Sequence, residues 1–292
     1  TCTFFMMKNL PGTPFDAERF SIMTPQQQER VLEMYGLNDS LPMQYVKYIK
    51  NMLKGDLGTS FTYVNQDVSK VITGRLGPSA LIGIQAVLIG LAIGLILGIL
   101  AAWKHNSGID YFTMILAVLG VSVPNFVAAA LLQYYIGLKW GVLPVGFWTG
   151  WNCSVLPSIA LSFSATAMVA RFMRTEMLDV LDQDYIVTAR AKGLSQMKVL
   201  MRHAVRNSIL PVVTILGPIV VNLMTGSLAV ENIFSIPGIG SLFVDCIKAN
   251  DYPVIMGITI FYAAFYMLVV LLVDLAYSLI DPRIRLAKGK ES

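Results

Sequence analysis

Residues 171–208, RFMRTEMLDVLDQDYIVTARAKGLSQMKVLMRHAVRNS, form a dense run of charged side chains and lead straight into ILPVV. So large a charged insertion between two apolar runs of membrane length is built to touch another protein. Asp182 or Asp184 can cap a short helix that runs through Tyr185, Ile186 and Ala189 to Lys192. Gly193 stands where a left-handed C-terminal stop is needed. Ser195 then caps a second helix, through Val199 and Leu200 to Arg206, which enters the apolar run opened by Ile209. A short helix ended by Gly and tied to a membrane helix can sit in a groove of a soluble partner and pass force as a rigid body.

Other chemistries find little support. The chain has no GxxxxGK[ST] phosphate loop, no HExxH, no GxSxG and no Cys/His pair at catalytic spacing. Its three cysteines, Cys2, Cys153 and Cys246, lack CxxC spacing, and the odd number argues against a disulfide framework or a zinc site. His105 and His203 are far apart. An intramembrane enzyme needs paired acids or a nucleophile at membrane depth, and only Asp274 lies there. Its place near Asp281, at the cytoplasmic edge, favours pairing with a basic residue over proton coupling. A passive channel has no use for the 171–208 segment.

The elements that position these residues are membrane helices. Of 292 residues, 55% are hydrophobic and only 14% charged, too little charge to cover a soluble domain of this size. Five runs, 78–103, 111–138, 154–170, 209–230 and 254–280, approach or exceed the roughly 20 residues that cross a hydrocarbon core. None alternates with the period of a membrane barrel, and helices satisfy their backbone groups internally. The net charge is +4, and its placement says more than its size. Basic residues gather at Lys104, at 171–206 and at Arg283, Arg285, Lys288 and Lys290, whereas the loops 139–153 and 231–253 hold one Lys each. The positive-inside rule puts the first group in the cytoplasm and the two sparse loops outside, with Trp140, Trp148 and Trp151 in the outer aromatic belt. Residues 8–77 are then expected outside as well, with TCTFFMM the outer end of a further span; an outer N-terminus with only five spans is the alternative. The expected organisation is a span end and outer insertion at 1–77, a membrane domain at 78–280 containing the coupling segment 171–208, and a cytoplasmic tail at 281–292.

Within the outer insertion, PQQQERVLEMYG predicts a helix with Pro25 near its start, Val31, Leu32 and Tyr35 at helical spacing and Gly36 at its stop. SLPMQYVKYIKNML predicts a second, with Tyr45, Ile49 and Met52 on one face, and Ser60 to Val64 is expected to be extended. Gly90, Gly94 and Gly98 recur every four residues and predict a helix-packing seam. Pro124, Pro211 and Pro218 can kink their spans, as suits a moving pathway. Ser122, Asn125, Gln133, Asn222 and Thr225 are the candidate pathway residues among the few polar groups at membrane depth.

The segment DYIVTARAKGLSQMKVLMRHAVRNSILPVV resembles the cytoplasmic signature of ABC-importer permeases. The common form reads Glu-Ala-Ala, three residues, Gly, and later Ile-x-Leu-Pro. Here those first positions hold Val187, Thr188 and Ala189, so Ala189 and Gly193 match, and ILP at Ile209 to Pro211 lacks one residue and comes late. ARAKGL with RHAVRNSILP is similar to the oligopeptide/dipeptide permease branch, as are LPGTPF, GDLGTSF, SVPNF, VENIFSIPGIGSLFVDCI, NDYPVIMG and DPRIR, in order along almost the whole chain.

The resemblance implies the first of two permease subunits, with six spans and a large outer loop after the first. The expected fold is an all-α polytopic membrane helix bundle of the type I permease kind, with five complete spans plus the outer end of a sixth. It implies a coupling helix whose contact face is Tyr185, Ile186 and Ala189, with Arg190 and Lys192 reaching acidic groups at the rim of an ATPase groove and Gly193 setting the exit turn. No cofactor is expected in this chain, since ATP and Mg would be bound by partner subunits. The implied partners are a second permease as heterodimer, two cytoplasmic ATPase subunits, an extracellular substrate-binding protein, a peptide substrate and the lipid bilayer of a bacterial cytoplasmic membrane, with no nucleic acid. A same-family permease for nickel, metal-chelate or glutathione-type solutes carries the same signature.

Overall fold

The computed structural model describes residues 1–8, 20, 22–34, 36–63, 66–225 and 228–280. The chain divides into two compact units, Thr1–Gly77 with Pro237–Ala263, and Pro78–Ile236 with Ala264–Ser292. Among the described residues the structure is helical, apart from one isolated bridge between Thr59 and Asp67.

The first unit holds α1 (Cys2–Lys8), α2 (Pro25–Met34), α3 (Leu41–Met52), the start of α4 (Val68–Trp103), α12 (Ile239–Lys248) and the start of α13 (Tyr252–Ile280). Pro25 opens α2, where its missing N–H costs nothing, and Gly36 has φ +63 just beyond the helix. Tyr35, 9–19 and 281–292 lie outside the described residues, and with them LPGTPF and DPRIR. In α3 the expected face is the half-buried one, and Phe4 stacks edge-on against Tyr45 at 5.3 Å. The core gathers Val68 and Ile72 of α4, Ile239 and Leu242 of α12, and Val254, Ile255 and Ile258 of α13.

The extended run expected from Ser60 does not form; residues 61–63 bend instead, and Val64 lies outside the described residues. The cause is a buried carboxylate. Asp251, 0% exposed, accepts hydrogen bonds from Ser60 Oγ, from Phe61 N at 3.2 Å and from Thr62 N at 3.0 Å. Side-chain acceptance replaces the ladder that a strand would supply. The segments GDLGTSF and NDYPVIMG meet here.

The second unit contains the rest of α4, α5 (Gly108–Ser122), α6 (Asn125–Leu132), which continues in wide turns over Gln133–Lys139, and α7 (Val155–Leu181). It goes on to α8 (Asp184–Ala191), α9 (Gln196–Val199), a π-helical stretch Leu200–Val205, α10 (Arg206–Thr225) and α11 (Leu228–Ile233), and ends with the remainder of α13. The glycine seam forms as expected. A Cβ on Gly90, Gly94 or Gly98 would lie 2.7 Å from the Cβ of Ala165, Val169 or Met173, so α4 and α7 meet backbone to backbone.

Among the described residues, four helices are long and apolar enough to cross a membrane, at 68–103, 151–181, 196–233 and 252–276. The apolar run 111–138 is not a straight span. It breaks into a pair, Gly108–Ser122 and Asn125–Lys139, bent by 99°. Val123 is extended (φ −83°, ψ 117°), as the residue before a proline prefers, and Pro124 at the start of α6 has no N–H to continue the α5 ladder. The pair makes a fifth candidate crossing when counted as one span.

Candidate coupling site

The charged segment folds as a helical hairpin. Gln183, extended at φ −78° and ψ 147°, precedes α8 and makes no side-chain cap; Asp184 is instead the first helical residue, where its charge favours the positive end of the helix. The expected capping by Asp182 or Asp184 is thereby replaced. At the other end Gly193 takes φ +77. Its N–H donates to the Arg190 carbonyl at 2.9 Å, and Leu194 N–H donates to the Ala189 carbonyl at 3.4 Å. Those two bonds are the Schellman closure, which needs a left-handed residue at this place. A Cβ on Gly193 would meet nothing within 4 Å, so the backbone angle alone selects glycine. Ser195 precedes α9 in extended conformation, without a side-chain cap bond. From Gln196 to Thr225 the chain is continuously helical, so the hairpin's second arm is the extension of a membrane-length helix.

Burial divides the six residues expected to couple. Ile186 and Ala189 are 0% and 6% exposed and pack against Val199, with Val180 and Leu181 beside them. They are the hairpin's own seam and cannot form the contact face expected of them. The reason is elementary: two short arms joined by a tight turn hold together only by burying apolar side chains against each other, and α8 offers few. Tyr185, Arg190, Lys192 and Gly193 are exposed, together with Val187 and Thr188. The outward surface is thus Tyr185, Val187, Arg190 and Lys192.

The pathway candidates are dispersed. Ser122 and Asn125 flank the break at Val123 and Pro124, and Asn125 Nδ2 donates to Ser164 Oγ at 3.4 Å. The Gln133 amide donates to the carbonyls of Val145 at 2.6 Å and Ile233 at 2.8 Å, which ties a loop and the end of α11 together. Asn222 is exposed on α10, and the Thr225 side chain lies outside the described residues. An apolar cleft of about 770 Å³ lies in the crook of the bent pair, bordered by Ile93, Ala117, Val123, Leu131, Phe163 and Ala167, and none of the five lines it. Asp274 is exposed and has no ion pair among the described residues; Arg283 and Arg285 lie outside them. All three cysteines are free, with Cys153 and Cys246 buried.

One polar cluster was not anticipated. Asp110, 2% exposed at the start of α5, takes both forks of Arg174 on α7, with Nη2 to Oδ2 at 2.8 Å, and also accepts from Asn106 N–H at 3.0 Å, while His105 Nδ1 lies 3.0 Å from Oδ2. A bidentate pair of this kind is both strong and directional. The signal in the sequence was the placing of opposite charges at one membrane edge, Asp110 after the first apolar run and Arg174 after the third. The pair anchors α5 to the helix that leads into the hairpin.

A helical hairpin continuous with a membrane-length helix, carried on a bundle of such helices, defines a polytopic helical membrane protein. The profile of the family described as "Binding-protein-dependent transport system inner membrane component" matches residues 94–286. The chain is 45% identical over 286 residues to the dipeptide transport system permease protein DppB of Lactococcus lactis, covering 98% of this chain and 93% of that protein. It is 38% identical over 287 residues to the oligopeptide transport system permease protein OppB of Haemophilus influenzae, with the same coverages of 98% and 93%. Among solved structures, inward-facing MetNI methionine ABC transporter superposes with a TM-score of 0.63 at 13% identity, covering 72% of this chain and 96% of that one, a likeness of fold. The chain belongs to the binding-protein-dependent transport system inner membrane component family and is a multi-pass permease subunit of an ABC importer.

Proposed function

We propose that this subunit forms, with a second permease, the pathway for dipeptides or oligopeptides handed over by an extracellular binding protein. Two ATPase subunits on the cytoplasmic side, with their ATP and Mg, drive it. The observation that carries the reading is the 45% identity to a dipeptide permease across 98% of the chain, well beyond the 94–286 core common to the family. Counted as a single crossing, the bent pair agrees with 171–208 on the basic, cytoplasmic side and 231–253 outside.

Force enters at the hairpin. The exposed surface of Tyr185, Val187, Arg190 and Lys192 rests in a groove of the ATPase, the two cations meet acidic groups at its rim, and Gly193 holds the arms at a fixed angle. The Arg190→Glu, Gly193→Val double variant places a like charge against that rim, which can cost several kcal/mol, and a β-branched residue at positive φ. In the reconstituted complex, peptide-stimulated ATP hydrolysis is expected to vanish while the permeases still assemble. Wild-type stimulation in that variant would sink the coupling assignment. Stimulation by nickel or glutathione, with none by peptides, would move the substrate to another branch of the family.

A further inference from the structure

Two consecutive residues at the point where α10 enters its apolar run, Asn207 and Ser208, bond to two other helices. Asn207 Nδ2 donates to Tyr185 Oη on α8 at 3.1 Å. Ser208 is fully buried, and its hydroxyl proton lies between two acceptors, the Glu176 carbonyl of α7 at 3.2 Å and the Ala204 carbonyl of its own helix at 2.9 Å. The end of α7, the hairpin arm α8 and the membrane helix α10 therefore converge on one dipeptide.

The π-helical stretch just upstream explains how Asn207 reaches that position. Val199 faces α8, where it packs on Ile186 and Ala189. On an ordinary helix at about 100° per residue, a residue eight places on would sit roughly 80° away from it. The wide turns over Leu200–Val205 advance less per residue and take up that angle, bringing Asn207 round to the side of Val199. Such stretches recur at functional sites, and this one serves to aim a side chain.

We infer that Asn207 and Tyr185 form a strut that carries displacement of the hairpin into α10, with Asn207 as a positioning residue and Tyr185 acting through its hydroxyl while its ring stays in the proposed ATPase contact. The seam of Ile186, Ala189 and Val199 fixes α8 near its centre, beside the turn. Seam contacts between small apolar groups resist separation but permit sliding along the helix axis. A directional bond from the first turn of α8 to the membrane end of the second arm removes that sliding. Without it, a push on α8 is spent in deforming the hairpin. The inference rests on the coupling reading above and adds to it which residues transmit.

The test uses the complete complex of both permeases, ATPases and binding protein in proteoliposomes, reading peptide transported per ATP hydrolysed. Tyr185→Phe and Asn207→Ala should each lower that ratio about three- to tenfold, the range of one net hydrogen bond, and the double variant should be no worse than either. Asn207→Asp, whose carboxylate can accept from the tyrosine hydroxyl, should restore most of it. A merely structural role would lower the unfolding temperature and the yield of complex while leaving the ratio unchanged. If both single variants keep the wild-type ratio, or their effects add, the strut is wrong. The Arg190→Glu, Gly193→Val variant runs alongside. Loss of stimulation there with normal ratios in the single variants overturns the strut alone, and retained stimulation there overturns the coupling reading with it.

Discussion

The hairpin at 184–206 and the clamp around Asp251 solve the same problem, holding a short non-spanning segment in place, by opposite means. The hairpin relies on three buried apolar residues, one left-handed glycine and an exposed hydrogen bond, and leaves nearly all its charge in solvent. The clamp sinks a carboxylate to 0% exposure and points a hydroxyl and three backbone N–H groups at it, those of Phe61, Thr62 and Val254, beside an apolar core drawn from α4, α12 and α13. A buried charge that is fully hydrogen-bonded is costly to disturb, whereas a thin apolar seam yields readily. On the coupling reading proposed above, the difference suits the first to a handle for a partner and the second to a fixed fastening.

The clamp should break hardest. Asp251→Ala leaves the Ser60 hydroxyl and the Phe61 and Thr62 N–H groups without their acceptor, for an expected loss of about 3 kcal/mol. Limited proteolysis around residues 57–67 would read it, and unchanged protection would mean that the carboxylate holds nothing. In the hairpin, Ile186→Ala should cost about 2 kcal/mol, confined to the hairpin and visible as faster amide exchange over 184–206. Faster exchange spreading through α7 and α10 would show that the hairpin is not a separate handle. Arg190→Glu should leave that exchange within about 0.5 kcal/mol of wild type, since the side chain is exposed. Asn125→Ala should do least, because its bond to Ser164 is long at 3.4 Å; a loss above about 1 kcal/mol in detergent unfolding would overturn this.

The amino-acid sequence alone determined what residue type imposes locally. Hydropathy set the helical membrane class, Pro124 marked where a span can kink, Gly193 set a left-handed turn, and the four-residue glycine repeat set which face of α4 another helix could approach. These follow because a backbone angle, a missing N–H or a missing Cβ acts whatever the rest of the chain does. Only the tertiary structure decided the 99° bend of the apolar pair, and only it turned Ile186 and Ala189 inward. It alone brought Asp110 to Arg174 across 64 residues and Asp251 to Ser60 across 191. An apolar residue at helical spacing fits a partner's groove as well as its own chain's seam. A buried carboxylate finds its donors only where distant segments happen to be folded together, and nothing in the spacing of either residue encodes that meeting.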